Sequence, residues 1–204
     1  MTPLTRSEAG TLLDVSRETL DQCEVYLDLL GRWQARINLV GATTLADPWR
    51  RHILDCGQLW HHWPSDARRL VDLGSGAGLP GLILALMGAP EVHLMESDQR
   101  KAAFLREAAR ACGVTVNVHA QRSEAIPGLA ADVVTARALA PLSQLLGLAA
   151  QHVHPGTTCL FLKGRSAASE LTEAAQHWTM TSISAGSLSD PKGRVLILRE
   201  IRRA

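Results

Sequence analysis

An apolar run near the middle of the chain stops at Asp72, and a glycine-rich turn follows: Val71-Asp72-Leu73-Gly74-Ser75-Gly76-Ala77-Gly78-Leu79-Pro80-Gly81. Four later apolar runs also stop at groups able to do chemistry, at Glu96, at Arg122-Ser123-Glu124, at Arg137 and at Lys163. In an open parallel α/β sheet, ligands sit beyond the carboxyl ends of the strands. The pattern therefore aligns five candidate site positions along one edge.

The turn satisfies two ligand motifs. Gly76 to Gly81 fits GxGxxG, the dinucleotide fingerprint, which taken alone is weak. It also reads as Asp-x-Gly-x-Gly-x-Gly, typical of S-adenosylmethionine (SAM) sites. Charge helps to choose. A pyrophosphate wants a helix N-terminus free of nearby acid, and Asp72 would repel it. SAM brings an ammonium and a sulfonium, which an acid favours. Glu96 closes the second strand, where a carboxylate can accept from both ribose hydroxyls of either cofactor. Ser123 and Glu124 are placed to reach an adenine amino group. The plain alternatives are a tight structural turn for the glycines and solvated loop acids for Glu96 and Glu124. That the acids fall at matching strand ends favours SAM.

The elements that must position these groups alternate. Strands are predicted at Leu70–Leu73, Val92–Glu96, Val116–His119, Asp132–Ala136 and Thr158–Leu162. Helices are predicted at Leu79–Met87, Gln99–Ala111 (capped by Asp98), Leu142–His152 and Ala167–His177. This βαβ alternation predicts an α/β fold with a mostly parallel, doubly wound sheet. Thr179–Ser184 and Val195–Arg199, joined only by a Gly/Ser/Asp/Pro loop, predict a closing antiparallel pair and hence an antiparallel terminal strand. Residues 1–64 read as an N-terminal helical region ahead of a ligand-binding domain at 65–204. Leu20, Cys23, Leu27 and Leu30 form one apolar stripe, extended by Trp33. Asp47-Pro48 reads as a helix start, with Asp as cap and Pro at the first helical position, and Trp49, Ile53, Cys56 and Trp60 follow on one face.

At 204 residues with 46% hydrophobic and 20% charged residues, the chain is long enough to bury a core without disulfides. A net charge of +1 argues against a wholly basic nucleic-acid binder but leaves room for a local basic face. Cys23, Cys56, Cys112 and Cys159 form no CxxC and read as buried reduced thiols of a cytoplasmic protein. His61-His62 and His152-x-His154 lack a companion cluster, so no metal is expected. No secretory leader and no membrane span are expected either.

With these residues in view, the chain resembles the small-subunit rRNA methyltransferase G family, also called glucose-inhibited division protein B. The resemblance rests on Arg36-Ile37-Asn38-Leu39, Arg51-His52-Ile53-Leu54-Asp55, Asp72 to Gly81, Arg137-Ala138 and Leu162-Lys163-Gly164. It runs from about residue 30 to the last strand. It implies a Rossmann-like, class I SAM-dependent fold and methylation of N7 of a guanine in the 530 loop of 16S rRNA. The partner would be the small ribosomal subunit or its assembly intermediate, the chain a monomer, and the product S-adenosylhomocysteine. By the family's motifs, Gly74, Leu79, Ser123, Glu124 and Arg137 would contact cofactor. Asn38, His52, Arg122, Arg137, Lys163 and Arg194 would handle substrate. Glu96 stands where many relatives carry Asp, and Ser184–Gly193 matches poorly.

N7 carries a lone pair and no proton, so attack on the methyl group needs no general base, and none is expected. Arg137 could donate to guanine O6 or pair with the cofactor carboxylate; stacking on a helix is its plain alternative. Lys163 is assigned a phosphate contact, against a surface lysine. His52 and Asp55 are neighbours on a helix face and could orient one another at the RNA or at the pocket lid. Asn38 reads as a base contact or as a helix-ending, left-handed Asn. Val133 to Ser169 holds no acid but contains Arg137, Lys163 and Arg165, and Gln99 to Arg122 sets five basic residues against one Glu. Together these predict a phosphate-binding edge with steep salt dependence. Two competing readings remain: a SAM-dependent methyltransferase of a non-rRNA substrate, and a SAM-binding ribosome-assembly factor.

Overall fold

The computed structural model describes residues 2–204. Seven strands form one sheet in the order β3-β2-β1-β4-β5-β7-β6. They are β1 (Arg69–Leu73), β2 (Glu91–Met95), β3 (Asn117–His119), β4 (Ala131–Arg137), β5 (Val153–Lys163), β6 (Trp178–Gly186) and β7 (Arg194–Arg203). The first five pair in parallel, and β7 runs antiparallel between β5 and β6. The antiparallel strand is thus last in sequence but second from the sheet edge. Chain order reverses between β1 and β4, the topological switch point at which open α/β sheets bind ligands.

Alternation along the central strands splits the core in two. Leu70, Val92, Leu94, Val133 and Leu160 face one way, under α4 (Gly81–Leu86), α5 (Gln99–Ala111) and the N-terminal helices α1 (Arg6–Leu13) and α2 (Arg17–Gln34). Val71, Leu73, Val134, Ala136 and Phe161 face the other way, under α6 (Leu142–Ala149) and α7 (Ala167–Ala174). Both faces are covered, which is why these strands read as continuous apolar runs. The N-terminal helices belong to the first cluster: Tyr26 and Leu30 are fully buried in it, and Trp33 meets Phe104 edge-on.

Local chemistry sets the helix starts. Asp98 accepts from the N–H groups of Arg100 and Lys101 and so caps α5, as expected. Asp47 does not cap. Its carboxylate accepts from Leu4 N at 2.8 Å and pairs with Arg50, tying the chain start to the next segment. That segment, Trp49–Leu54, is a π-helix rather than the α-helix expected, and it continues through α3 (Asp55–Gly57) into a 3₁₀ turn, Gln58–His62. No helix among the described residues is long and apolar enough to cross a membrane.

Candidate functional site

A cleft of about 1010 Å³ opens along the carboxyl ends of the strands. Glu96, Arg122, Ser123, Glu124, Arg137, Lys163 and Arg194 line it, with Gly74, Gly76, Leu79 and His52. Its wall is closed by Leu39, Val40, Gly41, Thr44, Arg51 and Asp55 from the N-terminal region and by Ser187, Asp190, Gly193 and Arg194 from the β6–β7 loop.

In one half of the cleft the glycine turn is held from both sides. Gly74 and Gly76 have φ of +63° and +55°, a region that glycine enters without steric cost. Glu96 accepts from Gly76 N at 2.9 Å and from Asp98 N at 2.7 Å, so one carboxylate joins the turn to the start of α5. From behind, the buried Tyr26 hydroxyl donates to Ala77 O at 2.8 Å. The Ser123 hydroxyl meets His152 Nε2 at 3.1 Å.

Asp72 does not reach the cleft wall. It lies on the sheet face beneath α4, where a Cβ on Gly81 would fall 2.6 Å from the Asp72 Cβ. Its Oδ1 accepts from the Thr135 hydroxyl at 2.7 Å, and its Oδ2 has no hydrogen-bond partner. Burial pushes its pKa up to about 6 against the pull of the Thr135 bond, of the nearby Ser75 hydroxyl and Gly81 N–H, and of the Arg137 charge. Gly78 also stays behind the surface: a Cβ there would collide with Leu82, which makes this glycine a packing requirement.

In the other half, two of the four cations expected to meet substrate, Arg137 and Lys163, are already engaged. Arg137 Nη1 donates to Asp55 Oδ2 at 3.1 Å and to Arg51 O at 2.9 Å, and its Nη2 lies 3.5 Å from His52 Nδ1. Lys163 donates to Glu170 Oε2 and to Ala140 O, both at 2.7 Å, and its side chain is only 9% exposed. Its charge is neutralised inside the protein, which leaves no free ammonium for a phosphate. The acid-free stretch read from the sequence ends at Glu170, and that residue supplies the counter-charge. Between the two cations, Ala138 has φ +51°, a left-handed conformation that costs a non-glycine residue about 1 kcal/mol.

His52 is buried with Nε2 at 3.1 Å from the Thr44 hydroxyl. Burial, reinforced by the Arg137 charge, lowers its pKa to about 3 and keeps it neutral. It does not orient Asp55; both side chains turn to Arg137 instead. Asp55 Oδ1 accepts from the buried Ser189 hydroxyl, and Gln58 bonds Ser187 Oγ and Leu188 N, which fastens the β6–β7 loop to the N-terminal region. Asn38 and Arg165 are exposed and outside the cleft wall. Asn38 accepts from Gln34 and is not left-handed, so it is not the helix-ending turn expected of it. Sequence reasoning missed Tyr26, Glu170 and Ser189. Tyr26 carried a usable signal, since it falls on the face of the Leu20/Cys23/Leu30 stripe and is the chain's only tyrosine.

Comparisons with known proteins bear on the chain as a whole. The family model described as rRNA small subunit methyltransferase G matches residues 19–196. A protein named ribosomal RNA small subunit methyltransferase G from Paramagnetospirillum magneticum is 59% identical over 196 residues, covering 96% of this chain and 96% of that protein. Its namesake from Rhodospirillum rubrum is 55% identical, covering 93% and 94%. Two solved structures are similar in fold alone. A SAM-dependent methyltransferase from Aquifex aeolicus has TM-score 0.56 at 14% identity, covering 77% of this chain and 95% of that one. A ribosomal protein L11 methylase from Lactobacillus delbrueckii subsp. bulgaricus has TM-score 0.55 at 17% identity, covering 70% and 73%.

Proposed function

The chain belongs to the rRNA small subunit methyltransferase G family, and from its cleft we propose that it methylates N7 of one guanine in the 530 loop of 16S rRNA. It is a SAM-dependent methyltransferase of small-subunit rRNA. The observation that carries the reading is the convergence, in one cleft, of a glycine turn gripped by Glu96 with a second half walled by the N-terminal region and the β6–β7 loop.

The residues fit SAM. Gly74, Gly76 and Leu79 present a close-approach surface, Glu96 and Glu124 supply acceptors for ribose and adenine, and Ser123 completes that wall. The unpartnered Asp72 oxygen beneath the turn places negative potential where a cationic ligand lies. When bound, SAM supplies a methyl carbon made electrophilic by its sulfonium. Guanine N7 offers a lone pair and no proton, so no side chain has to remove one. The neutral, doubly anchored His52 suits a wall residue rather than a base. What the chain contributes is alignment and exclusion of water, which can lower a barrier by about 7–11 kcal/mol.

Arg122 and Arg194 are exposed at the cleft edge and suit phosphate contacts. An rRNA substrate argues for work in the cytoplasm. The test is transfer from labelled SAM to small ribosomal subunits of a strain lacking the enzyme, with the modified base mapped by mass spectrometry. A single N7-methylguanine in the 530 loop is expected. No incorporation, with SAM binding intact, would move the activity to another substrate.

A further inference from the structure

Of the large hydrophobic side chains that stand exposed among the described residues (Leu12, Val25, Leu139, Ile183 and Leu188), only Leu139 lines the cleft. It is 41% exposed. Its side chain lies directly over the cofactor turn, since a Cβ built on Gly74 would fall 2.5 Å from Leu139 Cδ1. It therefore stands between the loop after β1 and the loop after β4, at the switch point where the two halves of the cleft meet.

Its neighbours are fixed by charged groups. Arg137, two residues before it, is bound to Asp55 and to Arg51 O. Ala140 O, just after it, accepts from Lys163, and Leu142 N donates to Glu170, the same carboxylate that pairs with Lys163. Ala138 is held left-handed between these anchors. A strained backbone, pinned on both sides by ion-paired side chains, holds one apolar group out toward solvent. Strain of this kind persists where the surroundings over-determine it, and it gathers at ligand clamps.

The chemistry of the occupant follows from what the cleft lacks. No Phe, Tyr or Trp lines it. A base taken out of its stack lies with its ring face against an aromatic, apolar or guanidinium surface while polar groups meet its edge, and the guanidinium nearest Leu139 in sequence, that of Arg137, is held by Asp55 and Arg51 O. We propose that Leu139 is the surface against which the ring of the target guanine lies, and that Arg137 and Lys163 serve the reaction as positioning residues that hold the Ala138–Pro141 loop. This rests on the rRNA reading above.

The experiment compares the wild type with Leu139→Ala and Leu139→Phe. It measures methyl transfer to small subunits lacking the modification, SAM affinity by calorimetry, and the thermal midpoint. Leu139→Ala is expected to lower kcat by more than about tenfold, with SAM affinity within about twofold of wild type. Its thermal midpoint should fall only slightly, because the side chain is partly exposed. Leu139→Phe, which restores a broad apolar face, is expected to recover most of the rate. An Ala variant within about twofold of wild-type activity would overturn the proposal. So would a parallel loss of SAM affinity, which would make Leu139 part of the cofactor wall, or a Phe variant as inactive as the Ala variant. Failure of the wild type itself to methylate subunits would instead strike the rRNA reading.

Discussion

The charged groups of the cleft differ in how their charges are matched. Glu96, Arg137 and Lys163 are each satisfied by fixed partners, whereas Asp72 is buried with an unpartnered oxygen. Its burial has a consequence that pH can read. With its pKa raised to about 6, folded Asp72 keeps a proton that the unfolded chain releases near pH 4. The associated stability is fully present below the unfolded value and is lost as pH rises through the folded one. A rise of roughly two units corresponds to about 3 kcal/mol. Urea unfolding between pH 4 and 8 should show this decline in the wild type, and it should be absent in Asp72→Asn. The charged carboxylate that destabilises the empty fold is also the form that attracts a sulfonium and an ammonium. SAM affinity should therefore rise as pH passes 6 in the wild type and stay flat in Asp72→Asn. A matching rise in the variant would assign the effect to another group.

Elements far apart in sequence meet at Asp55. Its two oxygens join α3, which continues the π-helical segment, to the end of β4 through Arg137 and to the β6–β7 loop through Ser189. Removing that carboxylate leaves a largely buried guanidinium without its counter-charge, a loss of about 3 kcal/mol or more. Asp55→Ala should lower the urea midpoint accordingly and reduce methyl transfer with it; a variant of unchanged stability would remove Asp55 from the hub. This junction marks the limit of what the sequence discloses. The central strands are legible because, covered on both faces, they are unbroken apolar runs, and α5 is legible because its stripe and the Asp98 cap agree. β5 begins earlier than expected because Val153–Thr157 carries His, Pro and Gly, which obscure a strand. Trp49–Leu54 is misread because a period of 3.6 residues cannot announce a π-helix, and because Asp47 bonds Leu4 in place of a helix end. In the cleft, the strand-end residues are legible since the sheet alone aligns them. The partners that fix them, Tyr26, Glu170 and Ser189, come from helices and a loop whose approach no local pattern encodes.

The whole molecule carries almost no net charge, so attraction to RNA must come from local imbalance around the cleft. The distribution there differs from the one the sequence suggests. Lys163 and Arg137 are ion-paired inside the wall, and Arg51 stands 3.6 Å from Asp190 across the opening. Arg122 and Arg194 are exposed at the edge without a carboxylate in contact. Each phosphate neutralised by a cation releases counterions, and the slope of log affinity against log salt counts those contacts. Arg122→Ala and Arg194→Ala should each weaken subunit binding at low salt and flatten the slope by about one unit or slightly less, leaving SAM affinity unchanged. Lys163→Ala should behave in the opposite way: the salt slope is retained, because its ammonium faces Glu170 rather than solvent, while turnover falls as the Ala138–Pro141 loop loses an anchor. Titration of each variant with small subunits over a range of salt concentrations separates the two roles. A flattened slope for Lys163→Ala would restore that lysine to the phosphate-binding edge. An unchanged slope for both arginine variants would place the RNA on another face of the molecule.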